Sequence, residues 1–182
     1  VRGFGQAAYT MFAAHRSFEA ILGQRHGPSF GGGAQVRVAN GLFAQVSWER
    51  FQRAGQRVFV FEDTVFPLGT RNTITITPLT IAGGYRFVRT NTAIPYIGGG
   101  VARYHLSEAT PFSDDDQQFD RRYTGYQAVG GVEFRFSRWM AAAIEGQYTR
   151  VPDALGVGGV SEVFKERDLG GQQVQVKLLI GR

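Results

Sequence analysis

Four residues in a row carry the most reactive side chains of this sequence: His105-Leu106-Ser107-Glu108. On an extended strand His105 and Ser107 share a face, so the imidazole can serve as base to the hydroxyl while a carboxylate orients it. Glu108 stands next to the serine rather than on another strand. The plainer reading is a strand end entering a polar loop, and that reading is preferred. A second candidate is a metal site. His15 and His26 fall in the first long loop, and Asp114, Asp115, Asp116 and Asp120 in the third. Carboxylates of this kind hold Ca²⁺ or Mg²⁺, but the aspartate run lacks the spaced ligands of a Ca²⁺ loop. It reads as a solvated acidic loop, and no metal or other cofactor is expected.

A third group is larger. Arg37, Glu49, Arg86, Arg103, Glu133, Arg135, Glu145 and Lys177 all fall on the polar side of alternating segments. Charges gathered on one side of a sheet must pair or stay hydrated. They predict a salt-bridge network; the sharper alternative is a narrow, gated water or ion path. Gly33, Gly84, Gly99 and Gly131 are expected to face the same way and to make room for the arginines.

The elements that would position these residues are strands. From Tyr123 to Thr149 the chain alternates strictly: Thr124, Tyr126, Ala128, Gly130, Val132, Phe134 and Phe136 form an apolar set opposed to Gln127, Val129, Gly131, Glu133 and Arg135. After Ser137-Arg138, Met140, Ala142, Ile144, Gly146 and Tyr148 oppose Ala143, Glu145, Gln147 and Thr149. Period two is the signature of a strand, since successive side chains point to opposite faces. The same pattern predicts strands over Arg2 to Phe12, Phe30 to Val38, Leu42 to Gln52, Thr73 to Phe87, Ile94 to His105 and Gln172 to Arg182.

Two segments carry finer expectations. In Thr73 to Phe87 the apolar parity switches from Ile74 and Ile76 to Leu79, Ile81, Gly83 and Tyr85, so a β-bulge is expected at Pro78. In Ile94 to His105, the residues Ile94, Tyr96, Gly98, Gly100, Ala102 and Tyr104 are expected to face outward, and Arg103 inward. Ser17 to Leu22 could form a helical turn.

Eight strands result, and their connections alternate long and short. The short ones are Ala39-Asn40-Gly41, Val88 to Ala93 and Ser137-Arg138; Asn-Gly supplies the positive φ of a tight hairpin. All long ones lie at the opposite end, including Arg53 to Asn72, within which Val58 to Phe61 could extend the sheet beyond the membrane, and the glycine-rich stretch from Val151 to Leu169. Short turns at one end, long loops at the other and an even strand count mark a transmembrane barrel. Eleven residues at about 3.3 Å rise, tilted about 40°, span on the order of 28 Å, near the height of an apolar belt. Aromatic girdles are expected from Tyr85, Tyr96 and Trp139 at the short-turn end, and from Tyr9, Trp48, Tyr104, Tyr126 and Tyr148 near the long loops.

Composition agrees. The 182 residues include 25 glycines, 13% aromatics and no cysteine, which excludes disulfides and thiolate metal sites. One domain spanning 1–182 is expected. The net charge is +5, yet no Lys/Arg cluster exceeds two residues, and no P-loop, zinc ligand set or helix-turn-helix is present. No nucleic-acid partner is expected. No apolar run approaches the ~18–20 residues of a membrane helix, a search to which alternating strands are invisible.

The stretches Ser29-Phe30-Gly31-Gly32-Gly33, Ala82-Gly83-Gly84-Tyr85-Arg86-Phe87, Pro95-Tyr96-Ile97-Gly98-Gly99-Gly100 and Val151-Pro152-Asp153-Ala154-Leu155-Gly156 resemble the small outer-membrane barrels of the OmpA/OmpX-like type, and within them the acidobacterial-type barrel proteins of uncharacterised role. The resemblance covers the whole chain. It departs at the end, Leu179-Ile180-Gly181-Arg182, where such chains commonly place an aromatic. It implies an all-β, eight-stranded, antiparallel up-and-down barrel in a bacterial outer membrane, its signal peptide removed and its termini periplasmic. It further implies contact with outer-membrane lipid and lipopolysaccharide, and a protein or glycan partner for the loops. A non-enzymatic scaffold is expected. Two alternatives stand beside it. The His105-x-Ser107 pair is also similar to that of an outer-membrane lipid A deacylase, and a soluble lipocalin-like barrel would place the apolar parity inside.

Overall fold

The computed structural model describes residues 1–38, 40–61, 64–87, 92–109, 119–155 and 160–181. Eight antiparallel strands close on themselves: β1 (Arg2–Phe12), β2 (His26–Arg37), β3 (Leu42–Phe61), β4 (Thr64–Arg86), β5 (Ala93–Ala109), β6 (Phe119–Arg135), β7 (Met140–Arg150) and β8 (Gly171–Gly181). Each strand pairs with its sequence neighbours, and β8 returns to β1 with Arg2 opposite Gly181 and Phe12 opposite Gly171. Closure removes every sheet edge and satisfies the backbone without water. Two short helices, α1 (His15–Leu22) and α2 (Val160–Val163), lie in the connections at the long-loop end.

The apolar parity faces outward. Val46, Ile81, Val101, Ile144, Val174 and Ile180 are all exposed, while Gln35, Gln45, Gln127, Gln175 and Lys177 are buried. An exposed aliphatic band around a polar interior is the pattern of a strand-built membrane span. A lipocalin-like barrel requires the reverse. Tyr9, Trp48, Tyr126 and Tyr148 ring one end of the band, and Tyr85 and Trp139 stand exposed at the other. The tight turn forms as its Asn-Gly pair predicts: Asn40 and Gly41 have φ of 49° and 88°, and Val38 N–H donates to Leu42 O at 2.9 Å. The turn at 88–91, and Ala39, lie outside the described residues.

Three expectations are corrected. The apolar switch in β4 is no bulge. The ladder to β5 runs unbroken through Pro78, opposite Tyr104. The described pairing to β3 skips Thr77 and Pro78 and resumes in the same register, as expected of a residue without an N–H. Ile74 and Ile76 therefore remain inward, buried in the barrel. The irregularity lies instead between Gln56 and Val58. Second, β5 is inverted in phase: Ile94, Tyr96, Ala102 and Tyr104 are buried inside, and Arg103 is exposed outside. Tyr96 and Tyr104 thus leave the girdles, and Arg103 leaves the lumen. From Ile94 to Ala102 both parities of β5 are apolar or glycine, so alternation alone does not orient it. Third, the connection from Arg53 to Asn72 is strand over more than the Val58 to Phe61 stretch expected to extend the sheet: β3 and β4 continue as a paired hairpin to Phe61 opposite Thr64.

Candidate functional site

Among the described residues the lumen is where charges converge, and it is layered. At the short-turn end Glu133, 1% exposed, collects three arginines. Arg2 approaches it with two nitrogens, Nη1 to Oε1 at 2.7 Å and Nη2 to Oε2 at 2.9 Å. Arg86 Nη2 lies 2.8 Å from Oε2, and Arg135 Nε 3.2 Å from Oε1. Gln35 Oε1 accepts from Arg2 at 2.9 Å and from Arg86, and its own amide donates to Gln45 at 3.3 Å. The Arg86 guanidinium rests 5.2 Å from the centroid of the Phe43 ring, leaving Nε and Nη1 without a hydrogen-bond partner among the described residues. A cation over an aromatic face regains part of that loss. Arg37 has the expected parity but stands exposed at the barrel mouth.

Above this cluster lies an aromatic layer of Phe4, Phe43 and Tyr96, packed with Ala141, Ala143 and Leu179. Phe43 and Tyr96 meet edge to face, centroids 5.9 Å apart. The inward glycines serve these rings rather than the arginines. A Cβ on Gly33 would come within 2.8 Å of Phe4 Cζ, one on Gly84 within 2.7 Å of Phe43, and one on Gly131 within 2.8 Å of the Tyr96 hydroxyl. Gly99, expected inward, is exposed; β5 is out of phase with that expectation throughout.

The next layer is a second ion pair. Lys177 Nζ donates to Glu145 Oε2 at 2.8 Å, the Tyr96 hydroxyl donates to the same oxygen at 2.9 Å, and Gln175 donates to Oε1. Both charged side chains are almost fully buried. Lys177→Met alone should leave Glu145 as an unpaired buried charge and cost about 3–5 kcal/mol. Adding Glu145→Gln should recover most of that loss, as read from urea denaturation midpoints in detergent. Glu49, the third expected carboxylate, is held by neutral donors rather than by a cation among the described residues: Gln6 at 2.9 Å, Ser29 at 2.5 Å and Gln173 at 2.9 and 3.1 Å. It lines a cavity of about 40 Å³ with Gln45, Thr80 and Gln147, room for a few waters at most.

An apolar plug closes the lumen at the long-loop end. Phe51, Ile74, Ile76 and Tyr104 point in from the strands, and Ala14 and Phe18 from the α1 segment. Val151, Ala154 and Leu169 arrive from the β7–β8 connection. Phe12 stacks on Phe18 at 4.1 Å and meets Phe51 edge-on at 4.9 Å. Two carboxylates pin the plug. Glu166 accepts from the backbone N–H groups of Arg16 and Ser17 and from the Ser17 hydroxyl at 3.1, 2.8 and 2.7 Å. It thereby caps α1, whose own N-cap residue Ala14 makes no side-chain cap. Asp168 accepts from Val151 N–H at 2.7 Å and Gly170 N–H at 2.8 Å.

The sequence reading missed the plug, Arg2 and the neutral glutamines. The apolar residues inside the glycine-rich stretch, Val151, Ala154, Leu155 and Leu169, were the available signal. His105 and Ser107 fall on β5 opposite Thr77 and Thr75 on one side, and Arg122 and Asp120 on the other. His26 is not in a loop but opens β2, its Nδ1 2.5 Å from the Tyr9 hydroxyl, while His15 begins α1. The two expected histidines are thus in different elements. No group of three metal-ligating side chains occurs among the described residues. Asp114, Asp115 and Asp116 lie outside them, as does the glycine run 156–159.

No family model matches the chain, and no curated protein matches it in sequence. Solved structures do match in fold. Neisserial surface protein A is 12% identical over 98% of this chain and 95% of its own, with a TM-score of 0.67. A major outer membrane protein from Thermus thermophilus is 9% identical over 99% of this chain and all of its own, with a TM-score of 0.55. The architecture is that of the small eight-stranded outer-membrane barrels. At such identities the likeness concerns the fold and carries no activity.

Proposed function

We propose that this chain is a bacterial outer-membrane barrel acting as a closed, non-enzymatic scaffold that presents its long hairpins to a protein or glycan outside the cell. The observation that carries this reading is the double closure of the lumen: an apolar plug at the long-loop end and a fully engaged Glu133 cluster at the other. Between them the cavity beside Glu49 has room for a few waters, which favours an interior that stabilises rather than transports. A general pore needs about sixteen strands. The β3–β4 hairpin, by contrast, continues well beyond Trp48, the last outward aromatic of β3 before its tip region. Under this reading the termini, which lie at the short-turn end, are periplasmic.

The outward arginines support the choice of membrane. Arg50, Arg103, Arg122 and Arg150 are exposed, each on the long-loop side of its strand's lipid-facing residues. Such a collar lies at headgroup height, where guanidinium pairs with phosphate in bidentate fashion, the chemistry that lipopolysaccharide offers.

Two measurements test the reading. Electrophoretic mobility in SDS should shift on boiling, and proteoliposomes should pass small solutes no faster than empty vesicles. Protein that is monodisperse in plain buffer, or a measurable solute flux, overturns it. For the collar, the Arg103→Gln/Arg122→Gln variant should retain about tenfold less lipopolysaccharide after detergent extraction; unchanged retention removes the collar from the account.

A further inference from the structure

The short-turn end carries positive charge that the lumen network does not consume. Arg2, Arg37, Arg135 and Arg138 line a bowl of about 430 Å³, together with Trp139 and Met140. Glu133 is the carboxylate that pairs with this cluster among the described residues, and it already serves Arg2, Arg86 and Arg135. Arg37 and Arg138 are exposed and meet no carboxylate among the described residues. The positive charge in and behind the bowl therefore exceeds the negative by several units, and guanidinium groups crowded this way stabilise an anion that enters between them.

The bowl has a second character. Arg2 and Arg135 belong to the inward parity, whereas Met140 belongs to the outward one, and Phe136 and Trp139 stand exposed in the turn between β6 and β7. The cavity thus runs from the lumen mouth over the rim of β6, β7 and β8 to the lipid-facing wall. The turn that forms the rim is fixed in place. Ser137 Oγ accepts from the N–H groups of Trp139 and Met140, both at 3.1 Å, and Gly181 N–H donates to Trp139 O at 2.9 Å. A rigid rim with an indole on top and a guanidinium beside it matches a molecule that is anionic at one end and apolar at the other.

We propose that this bowl binds the phosphate headgroup of an anionic phospholipid, the arginines holding the phosphate while the acyl chains run down the wall past Trp139 and Met140. The proposal rests on the membrane location proposed above. A free phosphate would gain the arginines alone; the lipid gains the apolar wall as well.

The test reconstitutes the full chain in nanodiscs of phosphatidylglycerol mixed with phosphatidylcholine and counts retained lipid by native mass spectrometry. Phosphatidylglycerol should be retained about tenfold over phosphatidylcholine, and the Arg37→Gln/Arg138→Gln variant should fall to parity. Both residues are exposed and unpaired with carboxylates among the described residues, and a boiling-dependent SDS shift confirms that the variant is folded. Equal retention of the two lipids by the parent protein, or a preference that survives in the variant, overturns the site. Displacement by inorganic phosphate with no preference between the lipids assigns the arginines to free phosphate and overturns the lipid. Protein that needs no detergent fails differently: it removes the membrane location itself.

Discussion

Glu133→Ala is expected to lower the stability of the barrel by about 3–5 kcal/mol, the cost of leaving buried charges without their counter-ion. Three arginines converge on this carboxylate at 2.7, 2.8 and 3.2 Å, and two of them, Arg2 and Arg86, are buried with it. Without it Arg2 and Arg86 keep Gln35 as their shared acceptor among the described residues. Glu133→Gln should fall between alanine and the parent protein, because an amide fills the same space and offers one acceptor without the charge. Urea titration in detergent micelles, followed by tryptophan fluorescence, gives the comparison. The temperature at which the compact SDS band disappears gives a second reading. A glutamate variant series with no change in either would mean that the arginines are solvated, contrary to their burial.

Phe51→Ala is expected to cost about 3–5 kcal/mol by creating a cavity in the plug. Phe51 is 4% exposed and meets Phe12 edge-on, and Phe12 in turn stacks on Phe18 of α1. Removing the ring takes the strand-side floor from under α1. The eight-residue helix is too short to persist by itself. Amide hydrogen exchange should therefore accelerate across residues 15–22, while β7 and β8, whose ladders do not involve Phe51, remain protected. Uniform acceleration across the barrel, or none in α1, would show that the plug is not a separable layer. A companion substitution at Glu166 should release α1 without touching the core, since its carboxylate accepts from both Arg16 and Ser17.

The glycine notches leave the interior no room for a side chain at these positions. At Gly33 an added Cβ would meet Val46 O at 2.1 Å and Ser47 Cα at 2.8 Å as well as the Phe4 ring. Two of those three neighbours are backbone and cannot turn aside. The aromatic layer thus seats against bare main chain, and this close approach is what separates the arginine cluster from the Glu145–Lys177 pair.

What the sequence settled by itself is local. Alternation of side chains along a strand is a property of the chain, so β6, β7 and β8 could be oriented residue by residue, with Glu133, Glu145 and Lys177 inside. Asn40-Gly41 carried its own turn geometry. The alternation of short and long connections placed the strands up and down, because neighbouring antiparallel strands must reverse at each link.

What required the tertiary structure is whatever depends on which neighbours a face meets. From Ile94 to Ala102 both parities of β5 are apolar or glycine, so Ile94, Tyr96, Ala102 and Tyr104 are turned inward by the partners they find there: Phe43 and Glu145 for Tyr96, the plug for Ala102 and Tyr104. The same holds for Arg103, which reads as a lumen charge by analogy with its neighbours and lies outside. Ile74 and Ile76 mimic a bulge because the lumen itself changes from polar to apolar along its axis, a gradient that no single strand records. Arg2 and Glu133, 131 positions apart, meet only because the barrel closes. Periodicity reports that a strand has two faces; which face looks onto lipid, water or a buried plug is decided by the whole ring of strands.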